Sequence, residues 1–124
     1  MLRSFFQAWR ASRSFGHALR LERSGDLLAA FEVASDGLSR LRQPRIDRTS
    51  PHTLSVFISI TALLDRLGPR VQREQVAQAA MREAIDLWKS AIVAEPALER
   101  AETPKKYIAS FQRRLDEPGL SEPS

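Results

Sequence analysis

The chain of 124 residues has the usual size of a single domain, and a chain of this length buries roughly two thirds of the surface that its unfolded form exposes. Its composition, 43% hydrophobic and 27% charged, excludes a disordered tail, a collagen-like chain and a membrane bundle. The absence of cysteine excludes disulfides and thiolate metal sites, and the net charge of +4 resides in residues 1–21, which hold four arginines and no acidic residue.

Two helices are predicted in the first third of the chain, where glycine and proline separate stretches with helical periodicity. The first covers about residues 2–23 and places its large apolar side chains mainly on one side. Ser24, Gly25 and Asp26 then supply a stop and an acidic cap for the second helix. The second helix ends before Pro44, because proline disfavours helix in the residue ahead of it. A tight turn between the two helices predicts an antiparallel hairpin over residues 2–42.

A second hairpin is predicted over residues 51–95. Ser50 followed by Pro51 is typical of a helix start, and the next segment, 54–67, is apolar nearly all round, which indicates a central helix. The β-branched residues within 56–61 allow a buried strand as an alternative, although no partner strand is found elsewhere in the sequence. A fourth helix, rich in alanine and glutamine, is predicted over residues 70–95.

The last predicted helix covers residues 104–115 and is amphipathic. Thr103 followed by Pro104 repeats the pattern of a cap and then a proline, and a short turn is expected over residues 97–102. Residues 116–124 hold too little apolar material to order and are expected to form a disordered tail. The predicted fold is therefore all-α, a single domain over residues 1–115 with five helices.

One segment carries a specific spacing of small and aromatic residues. Ala84 is followed by Trp88 four positions later, by Ala91 three positions after that, and by Pro96 five positions further on. This pattern resembles the second helix of a tetratricopeptide repeat, in which the small residues let paired helices approach and the proline ends the unit. Residues 25–38 resemble the same helix in an earlier copy, with Ala30 and Gly37 at the positions of Ala84 and Ala91. Gly25 lies at the turn between the two helices of this copy, and Ala18 is the small residue of the preceding helix.

The match departs from the family in its spacing. Ala30 and Ala84 are 54 residues apart, whereas the family repeats every 34 residues. Ala34 replaces the usual large residue, and Pro44 lies two places late. An ordinary helical bundle that reaches this spacing by chance is the alternative. The resemblance covers about two hairpins, with residues 104–115 similar to the helix that caps such arrays.

The resemblance implies a binding scaffold without catalytic chemistry. Repeats of this family present a concave groove, lined by the first helix of each hairpin, to a peptide or to a partner helix. The residues of the first helix that would face this groove are Ser12, Phe15, Leu19 and Glu22. These are not basic and amide residues, so a hydrophobic peptide or helix is the expected ligand, in preference to a terminal carboxylate.

The basic first helix supports other interpretations. Its arginines share one stripe with Phe6 and His17, and Trp9 lies to one side of that stripe. Arginines beside bulky aromatic residues are typical of a helix held at an anionic membrane surface. The stripe could also track the phosphates of a nucleic acid, although it has no base-reading groups. An arginine-rich start is similar to a mitochondrial transit segment. A solvated face on a core helix is the simplest alternative. The residues predicted to contact an anionic surface are Arg3, Phe6, Trp9, Arg10, Arg13 and Arg20.

No residue pattern predicts catalysis, a cofactor or a metal site. His17 and His52 stand apart in the sequence without a spaced second ligand, and no glycine-rich phosphate loop is present. The predicted function is a non-enzymatic adaptor that binds another protein and uses no cofactor. A peripheral membrane module and a homodimeric bundle are the alternatives, and nucleic acid is disfavoured. The excess of arginine over lysine indicates a GC-rich, bacterial genome, and the expected compartment is the cytoplasm.

Overall fold

The computed structural model describes residues 2–42 and 50–116, with side chains from residue 8 onward. These residues contain no β-strand, so the all-α prediction is confirmed and the alternative strand at 56–61 is wrong. Nearly all of the predicted tail at 116–124 lies outside the described residues. The five α-helices are α1 (Leu2–Arg23), α2 (Leu27–Leu41), α3 (Pro51–Leu67), α4 (Glu74–Ala94) and α5 (Glu102–Asp116), with 3-10 helices at Gly68–Val71 and Pro96–Arg100.

The turn between α1 and α2 has the predicted stop and cap. Gly25 adopts a left-handed conformation (φ +88°), which glycine reaches without the steric cost of a Cβ. The amides of Gly25 and Asp26 donate to the carbonyls of Glu22 and Leu21, at 3.0 Å each. This is the Schellman arrangement of a helix end. The Asp26 carboxylate then accepts a hydrogen bond of 3.3 Å from the amide of Ala29 and caps α2.

Two predicted helix starts are displaced in the structure. Residues 70–73, predicted as the beginning of the fourth helix, belong instead to a 3-10 helix and a turn in which Gln72 is left-handed (φ 60°). Because a left-handed residue cannot continue an α-helix, α4 begins at Glu74. The last helix begins at Glu102, two residues early, and Pro104 lies in its first turn, where a missing N–H is tolerated.

The helices pack in chain order around α3. Each helix contacts the next one along the chain, and α3 also contacts α1 and α5. The largest fully buried side chains on α3 and on α5 fill one continuous core. They include Phe57, Ile60, Leu63, Leu64 and Phe111. α3 is therefore the central helix that its sequence predicts.

α1 and α2 approach each other through small residues. Ala18, Ala30 and Gly37 are all buried. A Cβ at Gly37 would lie 3.0 Å from the Cβ of Ser14, so a side chain here would push the two helices apart. In the second hairpin Ala84 and Ala91 are fully buried and Trp88 is nearly so. Pro96 is exposed and begins the 3-10 helix that follows α4.

Candidate functional site

One stripe of α3 remains open to solvent. Within residues 53–64, only Ser55, Ser59 and Ala62 are not buried, and their spacing of four and three residues places them on one side of the helix. Arg66 continues this stripe at the next turn. Its guanidinium binds Glu22 on α1 and lies within electrostatic reach of Tyr107 on α5. The stripe therefore faces the side of α3 on which α1 and α5 lie.

We define the α1–α3–α5 face by this stripe, by the α1 residues that share one side of that helix with Glu22, and by the α5 residues near Arg66 and Asp65. On α1 it comprises the four residues predicted to bind a partner. Ser12 is exposed, Phe15 and Leu19 are half-buried against the core, and Glu22 is half-buried. The full set is Ser12, Phe15, Leu19, Glu22, Ser55, Ser59, Ala62, Arg66, Tyr107 and Arg114.

Two ion pairs join the three helices at one end of this face. Arg66 binds Glu22 through two hydrogen bonds of 2.8 Å each, from Nε and from Nη2. These bonds lower the pKa of the Glu22 carboxyl below its ordinary value and raise the pKa of Arg66. Arg114 of α5 lies 3.1 Å from Asp65 of α3. Ion pairs therefore connect α3 to both α1 and α5.

Tyr107 is the large aromatic side chain that α5 exposes near this end. Its side chain is 42% exposed. Its ring lies 6.4 Å from that of the buried Phe111, at an interplanar angle of 35°. The sequence predicts Tyr107 only as part of an amphipathic helix, and it does not single out Ser55 or Ser59. The sequence does contain a feature that could have identified the two serines, because they are small polar residues four positions apart in an otherwise apolar helix.

Some of the residues predicted to contact an anionic surface lie in a cleft between α1 and α2. The cleft is open to solvent and is lined by Trp9, Arg10, Arg13, Ser14 and Arg40. We call this set the basic cleft. Arg40 could not be found from the sequence, because it meets α1 only through the pairing of the two helices.

The remaining residues of the predicted stripe are not part of this cleft. Arg20 is exposed on α1 and does not line the cleft. The side chains of Arg3 and Phe6 lie outside the described residues. The structure therefore groups Trp9, Arg10 and Arg13 with a residue of α2 and separates them from Arg20.

Neither face contains an arrangement for metal chemistry. Among the described residues, no three side chains of histidine, cysteine, aspartate or glutamate are grouped closely enough to hold a metal ion. Within the same part of the chain, no helix combines the length and the apolar character needed to cross a bilayer. The α1–α3–α5 face presents small and aromatic side chains, and the basic cleft presents guanidinium groups.

Comparison of the chain with protein-family models, with curated proteins and with solved structures returned no match. The function of the chain is therefore inferred from the geometry of the α1–α3–α5 face and of the basic cleft.

Proposed function

We propose that this chain is a binding module that holds a helix or peptide of another protein on the α1–α3–α5 face. The observation that supports the proposal is the open stripe of α3, where Ser55, Ser59 and Ala62 stay uncovered in a helix that is otherwise buried over residues 53–64. Small side chains in such a stripe let the backbone of a partner approach closely. No step of this function needs catalysis or a cofactor.

The order of the helices supports a tetratricopeptide-like interpretation of this face. α1 and α3 are the first helices of the two hairpins, and α5 follows them in the position of a capping helix. α3 contacts both α1 and α5, as expected if first helices line a common surface. Gly37 of α2 lies close to Ser14 and Ala11 of α1, and Ala18 and Ala30 are fully buried, which is compatible with such a hairpin.

The chemistry of the face favours a partner with apolar side chains. Phe15 and Leu19 are only half-buried along α1, and Tyr107 is exposed on α5. The charged residues at one end, Glu22 and Arg66, already satisfy each other through two hydrogen bonds. An amphipathic helix would bury its apolar side on these residues and keep its polar side in water. Aromatic side chains such as Tyr107 are common anchors at such interfaces.

A matched pair of serine substitutions tests the proposal. Ser59→Arg introduces a long charged side chain on the face, whereas Ser39→Arg introduces the same side chain at an exposed position of α2. Each variant and the wild-type chain would be immobilised and used to capture proteins from cells of the source organism, with quantification by mass spectrometry. We expect at least one protein to be retained by the wild type and by Ser39→Arg but lost with Ser59→Arg.

Two further measurements decide the interpretation. Circular dichroism melting shows whether Ser59→Arg remains folded, and Ser55→Arg, at a more exposed position, replaces it if it does not. The proposal is wrong if every captured protein binds the folded variant as well as the wild type. Light scattering over a range of concentrations detects self-association, and a dimer that Ser59→Arg dissociates would assign the face to a second copy of the chain.

A further inference from the structure

The basic cleft brings together guanidinium groups from two helices. Arg10 and Arg13 lie three residues apart on α1, and Arg40 enters from the last turn of α2. Among the described residues that line the cleft there is no carboxylate; the other two are Trp9 and Ser14. The like charges of Arg13 and Arg40 repel each other across the cleft, and an anion placed between them relieves that repulsion.

Contacts within the cleft hold two of these side chains in place. The guanidinium carbon of Arg13 lies 5.1 Å from the centre of the Trp9 ring, a cation–π contact that limits the freedom of both. The Nε atom of Arg40 is buried and has no hydrogen-bond partner among the described residues. The Nη2 atom of Arg40 lies 3.7 Å from Oδ2 of Asp36, whose side chain is 69% exposed. This long and solvated pair neutralises little of the Arg40 charge.

We propose that the basic cleft binds a dianionic phosphate group. Guanidinium groups present paired N–H donors that match the oxygens of a phosphate, and a dianion with several oxygens can bind more than one of them at once. The Ser14 hydroxyl supplies a further donor, and the exposed ring of Trp9 gives an apolar surface for whatever carries the phosphate. The source of the group is either a soluble phosphorylated molecule or a phosphorylated lipid headgroup.

This inference goes beyond the proposed partner-binding function, because it concerns a different part of the molecule. The α1–α3–α5 face is built on the side of α1 that carries Phe15 and Leu19, whereas the basic cleft lies between α1 and α2. Failure of one proposal therefore leaves the other intact.

Titration with inorganic phosphate, followed by nitrogen-15 NMR, tests the site directly. We expect saturable shifts of the Trp9 indole N–H and of the Nε–H groups of Arg13 and Arg40. Arg40→Gln removes one guanidinium and should weaken binding about tenfold, the usual consequence of losing a charge-assisted hydrogen bond. Arg13→Gln, at an exposed position, serves as the second variant if Arg40→Gln does not fold. Arg113→Gln removes the same charge from an exposed position on α5 and should leave phosphate binding nearly unchanged.

Vesicle sedimentation separates the two sources of phosphate. Three vesicle preparations are compared: phosphatidylcholine alone, phosphatidylcholine with phosphatidylserine, and phosphatidylcholine with phosphatidylinositol 4-phosphate. Binding that requires the phosphorylated inositol lipid and is lost with Arg40→Gln assigns the cleft to a headgroup. Saturable binding of inorganic phosphate without vesicle binding assigns it to a soluble ligand. The proposal is overturned if phosphate shifts none of the three signals, or if Arg113→Gln weakens binding as much as Arg40→Gln does.

Discussion

The α1–α2 interface and the surroundings of α3 are stabilised in opposite ways. Where α2 passes α1 at Gly37, the neighbouring α1 residues are the small Ala11 and Ser14. Around α3, large side chains such as Phe57 and Leu64 fill the space between helices. The first interface is stabilised by the close approach of two backbones, and the second by large side chains that fill the space between helices. Adding volume should therefore damage the first, and removing volume should damage the second.

The comparison is tested most strongly by removing volume at Phe57. This side chain is 1% exposed in the centre of the core, so Phe57→Ala leaves a cavity that its neighbours only partly close. We expect the free energy of unfolding to fall by about 3–5 kcal/mol, measured by urea denaturation. A loss below about 1 kcal/mol would show that the core around α3 relaxes freely, which closely packed interiors do not do.

Adding volume at Gly37 tests the other interface. A Cβ here would lie 3.0 Å from the Cβ of Ser14 and 3.5 Å from the carbonyl oxygen of Ala11. Gly37→Val must force α1 away from α2, and we expect a loss of about 1–3 kcal/mol. At Gly16 a Cβ would meet nothing closer than an Arg20 nitrogen at 3.8 Å. Gly16→Ala is therefore the control, and it should stabilise the protein by about 0.5–1 kcal/mol, because alanine favours helix over glycine.

The fold was predictable because its boundaries are set by local chemistry. Gly25 and Asp26 specify the first turn through a left-handed backbone and a cap, and both effects act within a few residues. The start of α4 was not predictable, because Gln72 adopts the left-handed conformation that proteins usually reserve for glycine or asparagine. Nothing local distinguishes residues 70–73 from the helix that follows them.

The candidate sites were predictable in part, for a different reason. Helical periodicity alone groups Phe15 with Leu19, since both lie on one helix. It cannot show that Arg66 bridges to Glu22, or that Arg40 joins Arg13 in the basic cleft, because these pairs depend on the register between helices. Residues that lie far apart in the chain meet only once packing fixes that register.

A buried hydroxyl group in α3 tests how tightly the core around this helix is specified. Thr61 is fully buried, and its Oγ1 has no hydrogen-bond partner among the described residues. Thr61→Val keeps the volume of the side chain and removes the unsatisfied group, so we expect a gain of about 1 kcal/mol in urea denaturation. Thr61→Ser keeps the hydroxyl and removes a methyl group, and it should destabilise the core by a similar amount, about 1 kcal/mol. A loss of stability in Thr61→Val would show that the hydroxyl is satisfied in solution.

The smallest expected effect concerns the ion pair that joins the two regions, Glu22 of α1 with Arg66 of α3. Hydrogen bonds from Arg66 lower the pKa of the Glu22 carboxyl in the folded protein, so the unfolded chain binds a proton more readily than the folded one. The resulting stabilisation is complete above the ordinary glutamate pKa, roughly 4.3. It is lost as the pH falls through the lowered value. Because the Arg66 side chain is 52% exposed, the pair should contribute less than about 1 kcal/mol.

Glu22→Gln measures that contribution against a matched control. At pH 7 the variant should unfold at a slightly lower urea concentration than the wild type, and the difference should be smaller at acid pH, because the wild-type carboxyl itself becomes protonated as the pH falls through its lowered pKa. Glu32→Gln removes an exposed carboxylate from α2 and is the control for the loss of one negative charge. If the difference between Glu22→Gln and the wild type is the same at both pH values, the ion pair is not its cause. The contact between α1 and α3 would then depend on the packing of Phe15 and Leu19 against the core. Side-chain packing, without an ion pair, would hold α1 against both α2 and α3.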